Sequence, residues 1–374
     1  MKIAVNARTL DKNSPDGVGR FTYETMRRVV ANHPEHDFYF LFDRPVGKEY
    51  NFSANIIPIY VPFSAQGPFM WKYWFDYRIP VALEKIKADV FLSTDGLLSM
   101  TTDIPQHLLI HDLCFVHNPQ ELTRRRRWYF QNVFVKFPGI AKRIATVSEY
   151  SRRDISKTFG IDHKNIDVVY NGVSSNFVPL SEADKTIVKT KYTDGCDYFV
   201  FVGSIVQARK NLSRLLKAFD KFKNYARSDF KLMIVGDNSL MSKEVKSTIH
   251  EMMHGHDVKF TGQVGIEELR DIIGSAFSLT FVPYFEGFGL PILEAMSCGV
   301  PVITSETTSL PEVGGDAAMY VDPFSIDSIK NAMVFIYESE ELRERLVEKG
   351  EMQCKKFTWE KTASRYWDSV SKIL

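Results

Sequence analysis

The sequence has little of what marks a specialised class of protein. Its charges nearly cancel, with 47 Lys and Arg against 46 Asp and Glu, which argues against a surface coated for nucleic acid. It has no apolar run long enough to span a bilayer, and its first residues, MKIAVNARTL, contain no signal-peptide core, so we expect a cytoplasmic protein. The 4 cysteines form no C-x-x-C pair and have no histidine at zinc spacing, which predicts free thiols.

Several catalytic signatures are also absent. The chain contains no Asp-x-Asp, the pair with which a magnesium-dependent nucleotide-sugar enzyme of the single-domain type holds its metal and diphosphate. It contains neither G-x-x-x-x-G-K-[ST] nor G-x-S-x-G. These absences argue against a metal site of that type, against ATP phosphoryl transfer and against serine hydrolysis.

What the sequence does contain is a regular alternation of short apolar runs and longer amphipathic segments. Continuous apolar runs are typical of parallel strands covered on both faces, and strands separated by helices predict right-handed βαβ units. A chain of 374 residues has room for two or three domains, so we expect an α/β protein with doubly wound sheets. The predicted strands are Lys2–Asn6, Asp37–Phe42, Asn55–Val61, Asp89–Ser93, Leu108–His111, Ile144–Ser148, Asp167–Tyr170, Tyr198–Val202, Lys231–Val235, Val258–Thr261, Ser278–Val282, Val300–Thr304 and Ala318–Val321.

The two halves of the chain share one plan, in which a strand, a polar or glycine-containing loop and an amphipathic helix follow one another. In the first half these are IAVN, DKNSPDGVGR and FTYETMRRVV, and in the second half FVFVGS, IVQARKN and LSRLLKAFDKF. The polar segment 171–185 reads as a linker and places a boundary near residue 176. Because open α/β sheets bind ligands at the carboxyl ends of their strands, chemistry is expected in the loops that follow strands.

A segment with glycines, a proline and two carboxylates lies at 284-YFEGFGLPILEAMSCGVPVITS-305. Glu286 precedes a glycine loop, Pro291 suits the first helical position, and Glu294 lies about one turn inside the helix. The loop and the helix N-terminus suit an anionic ligand, beside which the carboxylates would accept hydrogen bonds from sugar and ribose hydroxyls. The alternative is a dipole-favoured glutamate and a surface glutamate, and physical chemistry alone leaves both open. The helix is expected to bury its apolar residues Leu290, Ile292, Leu293 and Met296.

A second loop, 203-GSIVQARKNLSRLL-216, carries two adjacent cations. Arg209 and Lys210 stand just ahead of the helix that follows the first strand of the second half, with Asn211 as its candidate N-cap. Cationic side chains beside helix N–H groups suit a diphosphate. The alternative is an ordinary solvated basic pair, which is the commoner case for two adjacent cations, and the position of the pair after a strand adds some support to the functional interpretation.

Two further candidates lie in the first half. Gly17 and Gly19 form a G-x-G ahead of a helix, but the third glycine of the dinucleotide fingerprint is missing, so the motif alone is weak. His111 and Asp112 end a strand, where adjacent side chains point to opposite faces, and a metal shared between them is therefore not expected. We expect His111 to contact a ligand and His117 to be structural.

Together these segments resemble the family 4 glycosyltransferases, which are retaining enzymes of the GT-B fold. The family's signature, two glutamates separated by seven residues within EGFGLPxLEAMxxGxPVI, reads here 286-EGFGLPILEAMSCGVPVI-303. The resemblance extends from Val5 to the final helix. It includes 148-SEYSRRDI-155, 170-YNGV-173, 208-ARKNL-212 and 309-SLPEVGGDAAMYVDP-323.

The resemblance implies two Rossmann-like domains that face a central crevice, with a C-terminal helix that crosses back to the first domain. The terminal segment 357–374 has aromatic residues on one apolar face, as such a helix requires. The implied acceptor-side domain is residues 1–176 plus about 357–374, and the implied donor-binding domain is residues 177–356.

The resemblance also assigns a role to each candidate residue. Glu294 would hold the ribose hydroxyls, Glu286 the transferred sugar and Lys210 the diphosphate. Many members carry an arginine where this chain has Ser204, and Arg209 is the natural substitute. His111 would contact the donor sugar, and it joins Glu286, Lys210 and Arg209 as a catalytic candidate. Further donor contacts would come from the glycine loop at Gly17 and Gly19, from backbone at Gly262 and Val264 near the base, and from Gly287, Phe288, Gly289 and Leu290 near the diphosphate and sugar.

The implied reaction is transfer of a hexose from a nucleoside diphosphate sugar with retention at the anomeric carbon, without a metal or another cofactor. The phrases VNARTL and HDLCFVHNP resemble bacterial mannosyl- and rhamnosyl-type transferases of surface polysaccharide assembly. We therefore expect GDP-mannose as donor, a glycan or lipid-linked oligosaccharide as acceptor, and no nucleic acid partner. Two alternatives stay open, namely a sugar-nucleotide epimerase or phosphorylase of GT-B fold and an inactive nucleotide-sugar-binding subunit of an envelope complex.

Two segments of the first half are candidates for contact with a membrane, 69-FMWKYWFDYRIP-80 and 123-TRRRRWYFQNVFVKF-137. The second combines the arginines Arg124–Arg127 with aromatic residues, as interfacial helices do. The alternative is a solvated basic helix packed by Trp128, Phe130 and Phe134. We expect a cytoplasmic protein that is peripheral on the inner face of the cytoplasmic membrane.

Overall fold

The computed structural model describes residues 1–10, 17–45, 52–239 and 241–374. The chain divides into two compact units. The N-terminal unit consists of Met1–Gly172 and Trp359–Leu374, and the C-terminal unit consists of Val173–Thr358. Every strand pairing within the two described sheets is parallel, so the predicted α/β class with parallel sheets is confirmed.

The N-terminal unit is built on a parallel sheet whose strands are β1 (Lys2–Asn6), β2 (Asp37–Phe42), β3 (Ile56–Tyr60), β4 (Val90–Ser93), β5 (Gln106–Ile110), β6 (Arg143–Thr146) and β7 (Ile166–Val168). Their order is β3-β2-β1-β4-β5-β6-β7. The helices are α1 (Gly17–Asn32), α2 (Pro68–Tyr73), α3 (Ile79–Ile86), α4 (Cys114–His117), α5 (Arg124–Asn132), α6 (Phe137–Ile140) and α7 (Glu149–Phe159). The strand order reverses beside β1, which pairs with both β2 and β4. Sheets of this kind bind ligands at that point.

The C-terminal unit repeats this plan with the strands β8 (Tyr198–Val202), β9 (Lys231–Val235), β10 (Val258–Gly262), β11 (Ser278–Phe281), β12 (Val302–Ser305) and β13 (Ala318–Val321). Their order is β10-β9-β8-β11-β12-β13. Its helices are α8 (Glu182–Thr193), α9 (Leu212–Ala226), α10 (Lys243–Glu251), α11 (Ile266–Gly274), α12 (Leu290–Ser297), α13 (Leu310–Gly314), α14 (Ile326–Glu338) and α15 (Glu340–Cys354). Here the order reverses beside β8, which pairs with β9 and β11. The loops after β8 and β11 are therefore neighbours at the carboxyl edge.

Apolar periodicity explains why these elements form. All residues of β11 are buried, as expected for a strand that helices cover on both faces. Helix α9 instead buries one stripe, because its apolar residues recur at intervals of three and four positions. The buried stripe consists of Leu212, Leu215, Leu216, Phe219 and Phe222, which belong to the apolar core of the unit.

The last helix, α16 (Trp359–Ser371), packs within the N-terminal unit. Phe21 of α1 meets Trp359 and Tyr366 edge-on, with ring centroids 6.3 and 6.0 Å apart. Burial lowers the pKa of His107 on β5 to about 3, so a neutral imidazole shares a hydrogen bond of 2.9 Å with Ser369 of α16. Aromatic packing and this buried hydrogen bond hold the helix to the sheet.

Two predicted boundaries are wrong. Helix α1 begins at Gly17, so Gly17 and Gly19 lie in its first turn rather than in a loop ahead of Phe21. The first N–H groups of a helix have no intrahelical partner in any case, so glycine is tolerated in the first turn. The predicted linker 171–185 is also shorter, because Ser181 caps α8 by accepting a hydrogen bond of 3.2 Å from the Asp184 N–H.

Candidate active site

The reversal of strand order in the C-terminal unit brings together the two loops that the sequence singled out. The loop after β8 carries Arg209 and Lys210 in a short 3-10 turn, Ala208–Lys210. The loop after β11 carries Glu286. A backbone hydrogen bond of 3.0 Å, from the Tyr284 N–H to the Arg209 carbonyl, fastens one loop to the other.

Glu286, Arg209 and Lys210 form one cluster of charges, which we call the charged trio. A single carboxylate oxygen, Oε2 of Glu286, lies 2.8 Å from Arg209 Nη1 and 2.7 Å from Lys210 Nζ. Lys210 also lies over the ring of Phe281, at 5.1 Å from its centroid. The three side chains are 15%, 14% and 12% exposed, so the cluster is largely shielded from solvent.

The charges of the trio favour the binding of an anion. Burial raises the pKa of Glu286, but Lys210 and Arg209 outweigh that effect and hold its pKa below the ordinary value. The carboxylate is therefore ionised at neutral pH, and two cations beside one anion leave a net positive charge. A phosphate that enters the site would accept charge-assisted hydrogen bonds in surroundings where little water screens the charges.

Asn211 has a different role from the predicted one. It stands at the N-cap position of α9, but its backbone is left-handed, with φ 63°, and its side chain makes no capping hydrogen bond. Its Nδ2 instead donates to the carbonyls of Val282, at 2.9 Å, and Pro323, at 2.7 Å. Asn211 thereby ties the loop after β8 to the loops after β11 and β13, a long-range arrangement that local sequence does not encode.

Glycines end three neighbouring strands of this sheet. Gly203 follows β8 with φ +155°, Gly236 follows β9, and Gly262 ends β10 with φ +75°. A Cβ on Gly236 would collide with the Gly203 carbonyl oxygen, whereas a Cβ on Gly262 would meet nothing within 4 Å. The edge beside the trio is thus free of side chains at these positions, and sequence reasoning missed Gly203 and Gly236.

The glycine loop leads into α12 much as the sequence predicts. Gly289 is the N-cap with φ +103°, and Leu290 and Pro291 are the first two helical residues, so Pro291 takes the second position rather than the first. The carbonyls of Glu286 and Phe288 accept hydrogen bonds of 2.9 and 3.2 Å from Ser309 Oγ, a brace that the sequence analysis missed.

The residues of α12 differ in burial, which distinguishes its core residues from its candidate site residues. Ile292, Leu293 and Met296 are buried as predicted, whereas Leu290 is half-buried because it stands at the exposed end of the helix. Glu294 is only 2% exposed, so this carboxylate belongs to the interior of the helix face rather than to the surface. Glu286, in turn, has only 15% of its side chain exposed, which argues against the alternative of a surface glutamate at that position.

The remaining C-terminal candidates line the same carboxyl edge. Ser204 follows Gly203 in the loop after β8 and is half-buried. Val264, also half-buried, lies in the turn between β10 and α11. Their predicted contacts with the donor stay predictions.

The N-terminal unit gathers its own candidates where its strand order reverses. His111 Nε2 lies 2.9 Å from the Thr94 carbonyl, after β4, and the His111 ring meets Phe21 of α1 edge-on at 5.4 Å. Helix α1 carries Gly17 and Gly19 in the same region of the unit. The sequence analysis missed the neighbouring ion pair of Arg8 Nη2 and Asp95 Oδ2, at 2.5 Å. The only sign of this ion pair in the sequence was the polar character of the residues directly after β1 and β4.

Two features are absent from the described residues. No group of three or more His, Cys, Asp or Glu side chains within residues 1–10, 17–45, 52–239 and 241–374 is arranged to hold a metal ion. Within the same ranges, no helix combines the length and apolar character that crossing a membrane requires.

Comparisons with known proteins agree with this geometry. Residues 183–353 match the family model described as glycosyl transferases group 1, and residues 15–177 match the model of glycosyltransferase family 4. The O-antigen chain mannosyltransferase B of Escherichia coli is 32% identical over 67% of this chain and 66% of its own length, just under two thirds. The O-antigen chain mannosyltransferase RfbU of Salmonella typhimurium is 25% identical over 75% of this chain and 74% of its own.

Solved structures match over nearly the whole chain. WaaG, a glycosyltransferase involved in lipopolysaccharide biosynthesis, superposes with a TM-score of 0.76 at 16% identity, covering 98% of this chain and 99% of that one. Anabaena Alr3699/HepE, in complex with UDP-glucose, gives 0.78 at 14% identity with full coverage of both. These likenesses establish the fold, and the family models and relatives establish the rest: the chain belongs to the family 4 glycosyltransferases and has their GT-B fold.

Proposed function

We propose that this glycosyltransferase moves a mannosyl residue from a nucleoside diphosphate mannose to a glycan or lipid-linked acceptor, with retention and without a metal or another cofactor. The observation that carries the proposal is the charged trio, which places two cations and one carboxylate at the carboxyl edge of the C-terminal sheet. GDP-mannose is the proposed donor because both relatives described above are named as mannosyltransferases. Their O-antigen names support a glycan acceptor.

The trio suggests how the chain lowers the barrier. Lys210 and Arg209 would stabilise the charge that develops on the leaving diphosphate as its bond to the anomeric carbon breaks. The backbone N–H of Leu290, the first residue of α12, would add to this stabilisation. The acceptor oxygen would attack from the same face and lose its proton to the departing phosphate. Glu286 would exchange the two cations for hydroxyls of the sugar when the donor binds, before the bond breaks.

Glu294 and His111 complete the proposed assignment. Glu294, buried in α12, would hold the ribose hydroxyls, since a buried carboxylate stabilises hydroxyl donors strongly. His111 would contact the donor sugar from the N-terminal unit. The relatives described above give no support to the epimerase or the inactive-subunit alternative.

Nucleotide binding tests this proposal directly. In EDTA, GDP at about one hundred times its Kd is expected to stabilise the protein by about 2.7 kcal/mol, and so to raise its Tm by several degrees. Differential scanning fluorimetry with GDP, UDP and ADP measures the shift and ranks the bases. Absence of a shift with all three at millimolar concentration, or a shift only with added Mg²⁺, would contradict the proposal.

We also propose that the N-terminal unit rests on an anionic membrane. Phe69, on α2, and Trp128, on α5, stack with centroids 6.1 Å apart, yet they are 61% and 48% exposed. Tyr73 and Tyr77 extend this aromatic face by one and two helical turns. The packed-helix alternative applies to Phe134, which is buried, and to Phe130, which packs against the apolar core, but not to Trp128.

Charge favours an anionic occupant for this aromatic face. Arg124, Arg125 and Arg126 are exposed in the first turn of α5, where the helix dipole disfavours cations and where the turn itself holds no acidic residue. Lipid phosphates would offset that cost while the aromatic rings enter the interface.

The double variant Phe69→Ser, Trp128→Ser is expected to lower the affinity for vesicles of phosphatidylglycerol and phosphatidylethanolamine at least about tenfold, since each buried aromatic contributes on the order of 1.5–3 kcal/mol. Vesicle flotation measures this loss. Ile187→Ser, at a side chain that is 67% exposed on the C-terminal unit, is the matched control and should bind like the wild type. Equal binding by all three proteins would refute the membrane contact.

A further inference from the structure

An exposed aromatic pair stands beside the charged trio, and no role has yet been given to it. The rings of Tyr284 and Phe324 stack with centroids 5.8 Å apart and an interplanar angle of 27°. Phe324 is 58% exposed and Tyr284 is half-buried. Tyr284 lies in the loop after β11, two residues before Glu286, and Phe324 lies in the loop after β13. We call this pair the Tyr284–Phe324 platform.

The loop that presents Phe324 is firmly held. The Phe324 N–H donates to Asp322 Oδ1 at 2.9 Å, and the Ser325 N–H donates to the Asp322 carbonyl at 3.2 Å. Ser325 then caps α14 by accepting a hydrogen bond of 3.1 Å from the Ser328 N–H. An exposed phenyl ring on such a loop is already ordered, so a ligand that covers it would not have to order it first.

The platform is joined to the trio through buried hydrogen bonds. Asn211 Nδ2 donates to the carbonyl of Pro323, the residue before Phe324, and to that of Val282. Tyr284 itself donates its N–H to the Arg209 carbonyl. The loops that carry the two rings are thus fixed to the loop that carries the two cations.

A guanidinium group completes the platform. The Cζ of Arg214 lies 5.5 Å from the centroid of the Phe324 ring, and Arg214 Nη1 donates to Asn211 Oδ1 at 2.9 Å. The guanidinium group has five N–H donors, and this hydrogen bond uses only part of them. The surface therefore offers ring faces next to planar hydrogen-bond donors.

We propose that the Tyr284–Phe324 platform, with Arg214, binds a sugar ring of the glycan acceptor. A pyranose ring has a C–H-rich face that packs on aromatic rings and a rim of hydroxyls that accept hydrogen bonds from a guanidinium. The proposal rests on the proposed function, because it takes the acceptor to be a glycan. It places part of the acceptor site on the C-terminal unit, whereas the sequence assigned the acceptor to the N-terminal one.

The affinity of platform variants for one oligosaccharide tests the platform. Phe324→Ala is expected to raise the Kd for a linear α-linked mannotetraose, measured by NMR titration in the presence of GDP, roughly tenfold. Phe324→Trp should keep the affinity. The matched control is Phe335→Ala, which removes a phenylalanine that is 53% exposed further along α14 and should change nothing.

Donor measurements separate this inference from the proposed function. If the platform serves the acceptor, Phe324→Ala leaves the Kd for GDP and the KM for GDP-mannose unchanged. A mannotetraose affinity equal to that of the wild type, or no mannotetraose binding by the wild type, would overturn the platform proposal even if GDP binds. Failure of the wild type to bind GDP would overturn the proposed function instead.

Discussion

Glu286→Ala is expected to lower kcat for mannosyl transfer by about 10²–10³-fold while GDP continues to bind. The carboxylate is proposed to act on the transferred sugar, so its loss removes a contact that the nucleotide product does not make. Its removal also leaves Arg209 and Lys210 without the oxygen that bridges them at 2.8 and 2.7 Å. Those cations then become more available to a diphosphate, and the Kd for GDP should stay the same or fall.

Steady-state kinetics with GDP-mannose and calorimetry with GDP measure the two effects separately. Glu286→Gln distinguishes the effect of the negative charge from the effect of side-chain size, because the amide keeps the size of the side chain but loses the negative charge. Glu306→Ala, at an exposed glutamate after β12, is the matched control and should behave as the wild type. Parallel losses of transfer and GDP affinity in Glu286→Ala would mean that Glu286 serves the nucleotide and not the sugar.

Lys210→Ala is expected to weaken both nucleotide binding and transfer. A charge-assisted hydrogen bond contributes about 1.5–3 kcal/mol, so the Kd for GDP should rise roughly 10–100-fold. The fall in kcat/KM should be larger, about 10³-fold, because the cation also stabilises the leaving diphosphate in the transition state. In this variant Glu286 pairs with Arg209 alone, so the trio loses its net positive charge.

Calorimetry and initial-rate kinetics again provide the measurement. Lys217→Ala, at an exposed lysine on α9, is the matched control for loss of one positive charge from the same segment. An unchanged Kd for GDP in Lys210→Ala would contradict the assignment of the trio to the diphosphate. Loss of thermal stability by the unliganded variant would show a structural role instead.

Much of the fold was predictable because apolar runs and their polar boundaries are local features. β1, β2, β8, β9 and β13 have the predicted limits. The limits of the other strands shift by one or two residues, and in β5 the shift occurs where the polar residues Gln106 and His107 are buried in the sheet, since their burial depends on partners distant in sequence. Gly17 and Gly19 were assigned to a loop ahead of a helix, but both lie in the first turn of α1, outside the helix interior where glycine is unfavourable.

The site was predictable in its members but not in its connections. Arg209, Lys210 and Glu286 each follow a strand, and the reversal of strand order makes their loops neighbours. That Glu286 binds both cations, and that Asn211 ties three loops together, depends on contacts across more than seventy residues of sequence. The sequence assigned Glu286 to the sugar and the cations to the diphosphate. Both assignments stay predictions, and they require that the bound donor separates the carboxylate from the cations.

The central claim is metal-independent, retaining transfer of mannose, and product analysis tests it most directly. The wild-type protein is incubated with GDP-mannose and a linear α-linked mannotetraose in EDTA, and the products are followed by NMR. Release of GDP and a new α-mannosidic linkage, identified by its one-bond C1–H1 coupling, are the expected results. A new β linkage, a requirement for added metal, or epimerised nucleotide sugar formed without any acceptor would contradict it.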